Sequence, residues 1–190
     1  MHAFRRLSLS LSCLALVALA PMPGSASTVL KVDVAEMTRI SPWVVRARVT
    51  AVTSVDLRKR GDSIYTDVTL TIDEIYKGSD APKTSIMRLP GGLGEDGMAL
   101  TVPGMPTFKV GDDVVLFLEM TGLGPVPCGM EQGVWRVARG PLGYLTVTQS
   151  TAKVSLVERD KDGRLVPSHD RPVVATKLLD QLKAEIQAAR

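Results

Sequence analysis

The sequence predicts a mainly β domain: a small antiparallel barrel, closed or partly open, with a short N-terminal helix and a C-terminal α-helix. Three observations predict it. Apolar side chains recur at every second residue from Trp43 to Val55 and again from Ile64 to Ile72, the period of a strand with one face in a core. Further short apolar runs are divided by clusters of Gly, Pro and Asp that favour turns. A helical period occurs only near the two ends of the mature chain.

At the amino terminus, Arg5 and Arg6 precede an apolar run from Leu7 to Ala20, shorter than the ~20 residues that cross a bilayer. A Pro-Met-Pro-Gly break and the small residues Ser25, Ala26 and Ser27 follow. This pattern is that of a secretory signal, with cleavage near Ala26 and Ser27 and a mature chain from Ser27 or Thr28; an uncleaved anchor is the alternative. The apolar run continues past Cys13, so Cys13 is read as leaving with the signal. The expected organisation is residues 1–27 as signal, 28–42 as a helix and lead-in, 43–168 as the barrel and 169–190 as a helix packed on it. The expected location is the periplasm or the outside of the cell, with no transmembrane helix after processing.

Of the 190 residues, 163 remain once the first 27 are removed, and the loss of Arg5 and Arg6 lowers the net charge from +3 to +1. That balance, with 4% aromatic residues, lacks the basic, aromatic surface that binds nucleic acid. A single domain of this size buries about two thirds of its unfolded surface and needs no disulfide staples. Cys128 is the one mature cysteine: a buried apolar residue, a reactive thiol or an intermolecular bridge.

Each element follows from local pattern. Asp33 caps a short helix through Val34, Ala35, Glu36, Met37 and Ile40, which Ser41-Pro42 ends. In the first long strand Val45, Ala47, Val49 and Ala51 face inward, with Val44, Arg46, Arg48 and Thr50 outward. A polar loop from Asp56 to Asp62 leads to the second, in which Ile64, Thr66, Val68, Leu70 and Ile72 share the core face. Glu74 breaks the alternation, and a bulge there is expected to return Ile75 to the core; Gly78 ends the strand. Thr84 to Leu89 is a shorter strand, and Pro90 to Gly104 a long loop without regular structure. The nearly continuous apolar run Val114 to Glu119 predicts a strand buried on both faces. A second loop spans Thr121 to Gly133. Hairpins follow at Val134 to Ala138 with Tyr144 to Thr148, and at Lys153 to Glu158 with Leu165 to Val166. The terminal helix is expected after Asp170 and Pro172, with Val174, Leu178, Leu179, Leu182 and Ile186 as its apolar stripe.

Chemical constellations are sparse. His169 is the one mature histidine, so no histidine pair can hold zinc, and no cofactor is expected. A Cys128/His169 dyad is formally available. Gly91-Gly92-Leu93-Gly94 has no Lys-Ser/Thr and no helix after it, unlike a phosphate cradle. Asp160, Asp162 and Gly163 resemble the start of a calcium loop, but Arg171 stands where the bidentate glutamate belongs, so a hairpin turn is expected. Glu95, Asp96, Asp112, Asp113 and Glu131 lie in loops and serve as acid or base only if folding brings two together.

The order "WVVRARVTAV", loop, "YTDVTLTIDEIYKG", short strand, glycine-rich loop, "FKVGDDVVLFLE" resembles the netrin-like or tissue-inhibitor-of-metalloproteinase type of domain, an OB-like barrel. It is similar as well to exported bacterial proteins that share "YTDV", Lys-Gly, Pro-Gly-Gly and "VGDDVVLFL". The resemblance covers about Trp43 to Arg139 and implies a fold more than a function. The inhibitors' zinc-chelating N-terminal cysteine has no counterpart at Ser27 or Thr28, so their mechanism is not implied.

The expectation from these features is an exported, non-enzymatic binding module that recognises a protein, a secreted protease among the candidates, or a glycan through its long loops. The residues expected to make the contact are Gly91, Gly92, Leu93, Glu95, Asp96, Met98, Met105 and Glu131, with Cys128 as the candidate thiol. A hydrolase using loop carboxylates or Cys128, and a self-associating envelope component, are the alternatives.

Overall fold

The computed structural model describes residues 27–168 and 174–190; Ala26 with the expected signal, His169, and the Asp170 and Pro172 start expected for the terminal helix lie outside them. In chain order the elements are β1 (Ser27–Leu30), α1 (Val34–Ile40), β2 (Trp43–Asp56), β3 (Ile64–Lys77), β4 (Thr84–Pro90), β5 (Gly92–Leu93) and β6 (Ala99–Leu100). They continue with β7 (Asp113–Thr121), β8 (Gly124–Pro127), β9 (Val134–Arg139), β10 (Leu145–Ser150), β11 (Val154–Arg159), β12 (Leu165–Pro167), β13 (Val174–Leu178) and α2 (Leu179–Ala188). The protein is mainly β, and no helix among the described residues is long and apolar enough to cross a membrane.

The main sheet runs β13-β10-β9-β7-β2-β3-β4, with β8 also paired to β7. All of its ladders are antiparallel. One edge of β7 is shared: Val114 to Leu116 pair with β9, and Leu118 to Thr121 with β8. A 3₁₀ turn at Met130–Gly133 carries the chain from β8 round to β9. β1, β11 and β12 form a separate small sheet in which β1 runs parallel to β11.

Both faces of the sheet centre are covered. Val45, Ala47, Val49, Val68, Leu70, Met87, Leu116 and Leu118 form the core inside the sheet's curve. Val44, Val115, Phe117, Trp135 and Val147 form a second core on the opposite face, with Met37 of α1 and Leu179, Leu182 and Ile186 of α2. Every residue from Val114 to Leu118 is therefore buried, as the continuous apolar run predicts. Val44, expected outward, is buried because α1 and α2 roof that face.

β2 and β3 carry the curvature. Their register shifts three times: Tyr76 is unmatched between Val44 and Val45, Asp73 between Arg46 and Ala47, and Thr50 between Val49 and Ala51. A bulge inserts one residue and exchanges the faces beyond it. Past Thr50 it is Val52, not Ala51, that packs on the inner core. The predicted bulge near Glu74 is thus present as two flanking irregularities, but Ile75 is 44% exposed, and it is Tyr76 that joins the helix-side core. Lys77 ends β3 by donating from Nζ to the carbonyls of Thr38 and Arg39 at 2.6 and 3.0 Å, capping the last turn of α1. At Gly78 φ is +85°, and a β-carbon would stand 2.5 Å from the Pro42 carbonyl oxygen.

The barrel does not close. β8 reaches β4, where a β-carbon on Gly124 would lie 3.9 Å from the Ile86 carbonyl oxygen, but no ladder joins the two among the described residues. The sheet instead leaves the curve through β9, β10 and β13, because β7 gives part of its edge to β9. Three further expectations are corrected. The Pro90 to Gly104 segment holds the β5–β6 hairpin, and the Thr121 to Gly133 segment holds β8 and the 3₁₀ turn. Val174 to Leu178 is a strand on β10 rather than helix, so the α2 stripe reduces to Leu179, Leu182 and Ile186, with Val174 and Leu178 exposed. As the pattern predicts, Asp33 caps α1, its Oδ1 accepting from the Glu36 N–H at 2.7 Å.

Candidate functional site

The inner core opens at one end of the curved sheet into a cleft of about 800 Å³. Its floor continues the core: Val52 of β2, Val68 of β3 and Leu89 of β4, with Met105 and Phe108 from the segment before β7. The bulge at Thr50 puts Val52 and Ser54 on this floor. Its wall is the backbone of Pro90 to Gly92 and Ala99 to Gly104, and Ala152 and Lys153 complete the rim.

Hydrogen bonds hold the wall in place. Thr66 Oγ1 donates to the Gly91 carbonyl at 2.7 Å, and Ser54 Oγ accepts from the Leu93 N–H at 3.1 Å. A β-carbon on Gly92 would stand 2.8 Å from the Tyr65 carbonyl oxygen and 2.9 Å from Thr66 Oγ1. The absent side chain lets the β5–β6 hairpin lie directly on β3.

Ion pairs clasp the hairpin tip to the turn between β2 and β3. Arg58 bridges Asp56 at 2.6 Å and Asp96 at 2.8 Å, Lys59 pairs with Glu95, and Asp56 Oδ2 accepts from the Glu95 N–H at 3.0 Å. The Arg58 guanidinium, with the Glu95 N–H, holds the Asp56 carboxyl far below the usual carboxylate range. It lowers Asp96 as well. Leu93 and Met98 on this hairpin are more than half exposed, and Leu100 is 39% exposed.

Of the residues expected to make contacts, Gly91, Gly92 and Met105 line the cleft, while Leu93, Glu95, Asp96 and Met98 sit on the adjoining hairpin. Glu131 lies in the 3₁₀ turn, behind the rim residue Lys153, whose Nζ is 3.5 Å from Glu131 Oε1. Cys128 is away from the cleft in the helix-side core, and burial pushes its thiol up to about 11. The loop carboxylates each face a cation: Asp112 faces Arg136 and Asp113 faces Arg46, beside the Glu95, Asp96 and Glu131 pairs. Asp160 spends Oδ1 on the N–H groups of Asp162 and Arg164, both at 2.9 Å, within the β11–β12 turn. Among the described residues, His, Cys, Asp and Glu nowhere gather in a group of three or more able to hold a metal ion.

Several cleft residues escape sequence reasoning. Val52, Ser54 and Thr66 lie in strands whose alternation signals a face, but nothing local signals that this face stays open. Lys153 comes from a hairpin far along the chain, and no spacing rule connects it to Gly91. A second recess of about 640 Å³ lies beside α1 and α2, lined in part by Val34, Met37, Trp135 and Ala175. The Lys177–Glu185 pair stands on its lining, with Lys177 Nζ 5.0 Å from the centre of the Trp135 ring. Compared with protein-family models, with curated proteins and with solved structures, the chain matches none.

Proposed function

We propose that the chain is an exported, non-enzymatic binding module that holds an apolar part of a protein or glycan partner in the cleft beneath the β5–β6 hairpin. The observation that carries this reading is a recess whose floor continues the core, with Val52 and Met105 only partly buried, bordered by the exposed side chains of Leu93, Met98 and Leu100. Exposed apolar side chains grouped around a concavity mark interaction sites more often than scattered ones do. The lowered Asp96 carboxyl and the raised Cys128 thiol favour binding over hydrolysis, because a poised base or thiolate requires the opposite perturbation. In this reading the fold is a partly open relative of the OB-like, netrin-like type.

The test is recovery of partners from the native exported fraction on immobilised protein, together with a glycan array. Leu93→Asp, Met98→Asp and Leu100→Asp place charge at exposed positions, where folding tolerates it. Loss of the same bound species in all three variants supports the cleft; full recovery on the triple variant rejects it.

A further inference from the structure

We infer that Glu131 receives a new amino terminus at Ser27, so that cleavage of the Ala26–Ser27 bond completes an ion pair inside the folded chain. This rests on the reading of the amino terminus as a cleaved export signal. Glu131 is 9% exposed. Its Oε1 faces Lys153 Nζ at 3.5 Å, longer than an ordinary charge-assisted hydrogen bond. Its Oε2 is buried and has no hydrogen-bond partner among the described residues. A buried carboxylate with one oxygen unpaired is an unfavourable arrangement that a second cation relieves.

The strand register brings such a cation near. β1 runs parallel to β11 with Ser27 opposite Val154, so the nitrogen of Ser27 points back along the ladder toward Lys153. Lys153, the residue before the register partner of Ser27, is the one whose ammonium faces Glu131. The contacts at Gly104 give the same convergence: a β-carbon there would lie 2.7 Å from Val154 Cγ1, 3.0 Å from Met130 Sδ and 3.3 Å from Ser27 Cβ. The Ser27 hydroxyl, donating to the Pro103 carbonyl at 2.5 Å, holds the residue in place.

Before cleavage the Ser27 nitrogen is an uncharged amide. A leader-removing peptidase and one water convert the Ala26–Ser27 peptide bond into an Ala26 carboxylate and a Ser27 ammonium with three donors and a positive charge. The ammonium pairs with Glu131 Oε2, and processing thereby fastens β1 to the 3₁₀ turn beside the cleft rim.

The experiment uses protein exported by its own leader. The mass of the mature chain is measured first, and a start other than Ser27 overturns the inference at its first step. On a chain starting at Ser27, the α-ammonium is titrated by nitrogen NMR, and acylation of the α-amine is timed in the wild type and in Glu131→Gln. The expected result is a wild-type α-ammonium titrating at least one unit above the ordinary value of about 7.7–8.0, with acylation roughly tenfold faster in E131Q. An ordinary titration in the wild type overturns the pairing even if E131Q does not fold, and so do equal acylation rates in two folded proteins. In both of these cases the cleavage itself stands.

Discussion

Phe117→Ala and Ile75→Ala remove apolar atoms from two strands that are both apolar in pattern, and the structure assigns them very different costs. Phe117 has no solvent exposure and belongs to the core that joins β7 to α1 and α2. Losing the transfer energy of the ring, about 2–3 kcal/mol, and leaving a cavity that its neighbours fill only partly gives a total of about 3–5 kcal/mol. On a chain of this length that lowers the melting temperature by roughly 6–20 °C, from a total stability of about 5–15 kcal/mol. Ile75, 44% exposed where β3 is bulged on both sides, loses less than about 1.5 kcal/mol. Urea unfolding followed by the fluorescence of Trp43 and Trp135 measures both, with unchanged slopes indicating that stability alone has moved. Equal midpoint losses in the two variants, or a loss under about 1.5 kcal/mol for Phe117→Ala, would refute the two-sided core and return Ile75 to the interior.

Three further predictions are independent of this one. Gly92→Ala sets a β-carbon against the Tyr65 carbonyl at a φ of +151°; a cost of about 1–3 kcal/mol and loss of hydrogen-exchange protection at the Leu93 and Gly94 amides are expected, and full protection would contradict the close packing of the hairpin. Asp113→Asn breaks the bidentate pair with Arg46, whose side chain is 15% exposed, and costs about 2–4 kcal/mol. Lys59→Ala, at an exposed pair, leaves the urea midpoint essentially where it is in the wild type, so equal losses would contradict this ranking. The folded Cys128 thiol titrates near 11 against an ordinary value near 9. Its stabilising contribution is therefore complete below the unfolded thiol value and falls as pH rises from 9 toward 11, by about 2 kcal/mol. A Cys128→Ala protein with the same alkaline decline as the wild type would assign that decline to other groups.

The features legible in the sequence are those decided within a few residues. Asp33 and Ser41-Pro42 bound α1, alternation marks β2 and β3, and Gly78 and Asp160 make the turns their residue types favour. Val174 to Leu178 reads in the sequence as an extension of the α2 stripe, but its β-branched Val174 and Thr176 pair along β10. The unpaired edge of β10 decides for the strand, and no window of the sequence contains that edge. Thr50 likewise looks like one more alternating residue until its partner strand leaves it unmatched.

The cleft follows the same division. Its glycine-rich wall, Gly91 and Gly92 with Met105 beyond it, was readable from composition, while its floor at Val52 and Val68 and its rim at Lys153 were not. By itself the sequence determined the long strands β2, β3 and β7, the turns at Gly78 and Asp160 and that β7 is buried on both sides, because backbone period and turn chemistry act locally. Only the tertiary structure decided that the curve stays open, that Ile75 faces water and that Glu131 has one oxygen unpaired among the described residues. Those outcomes depend on how β7 divides its edge between β8 and β9 and on where three bulges shift the register, competitions between segments far apart in the chain.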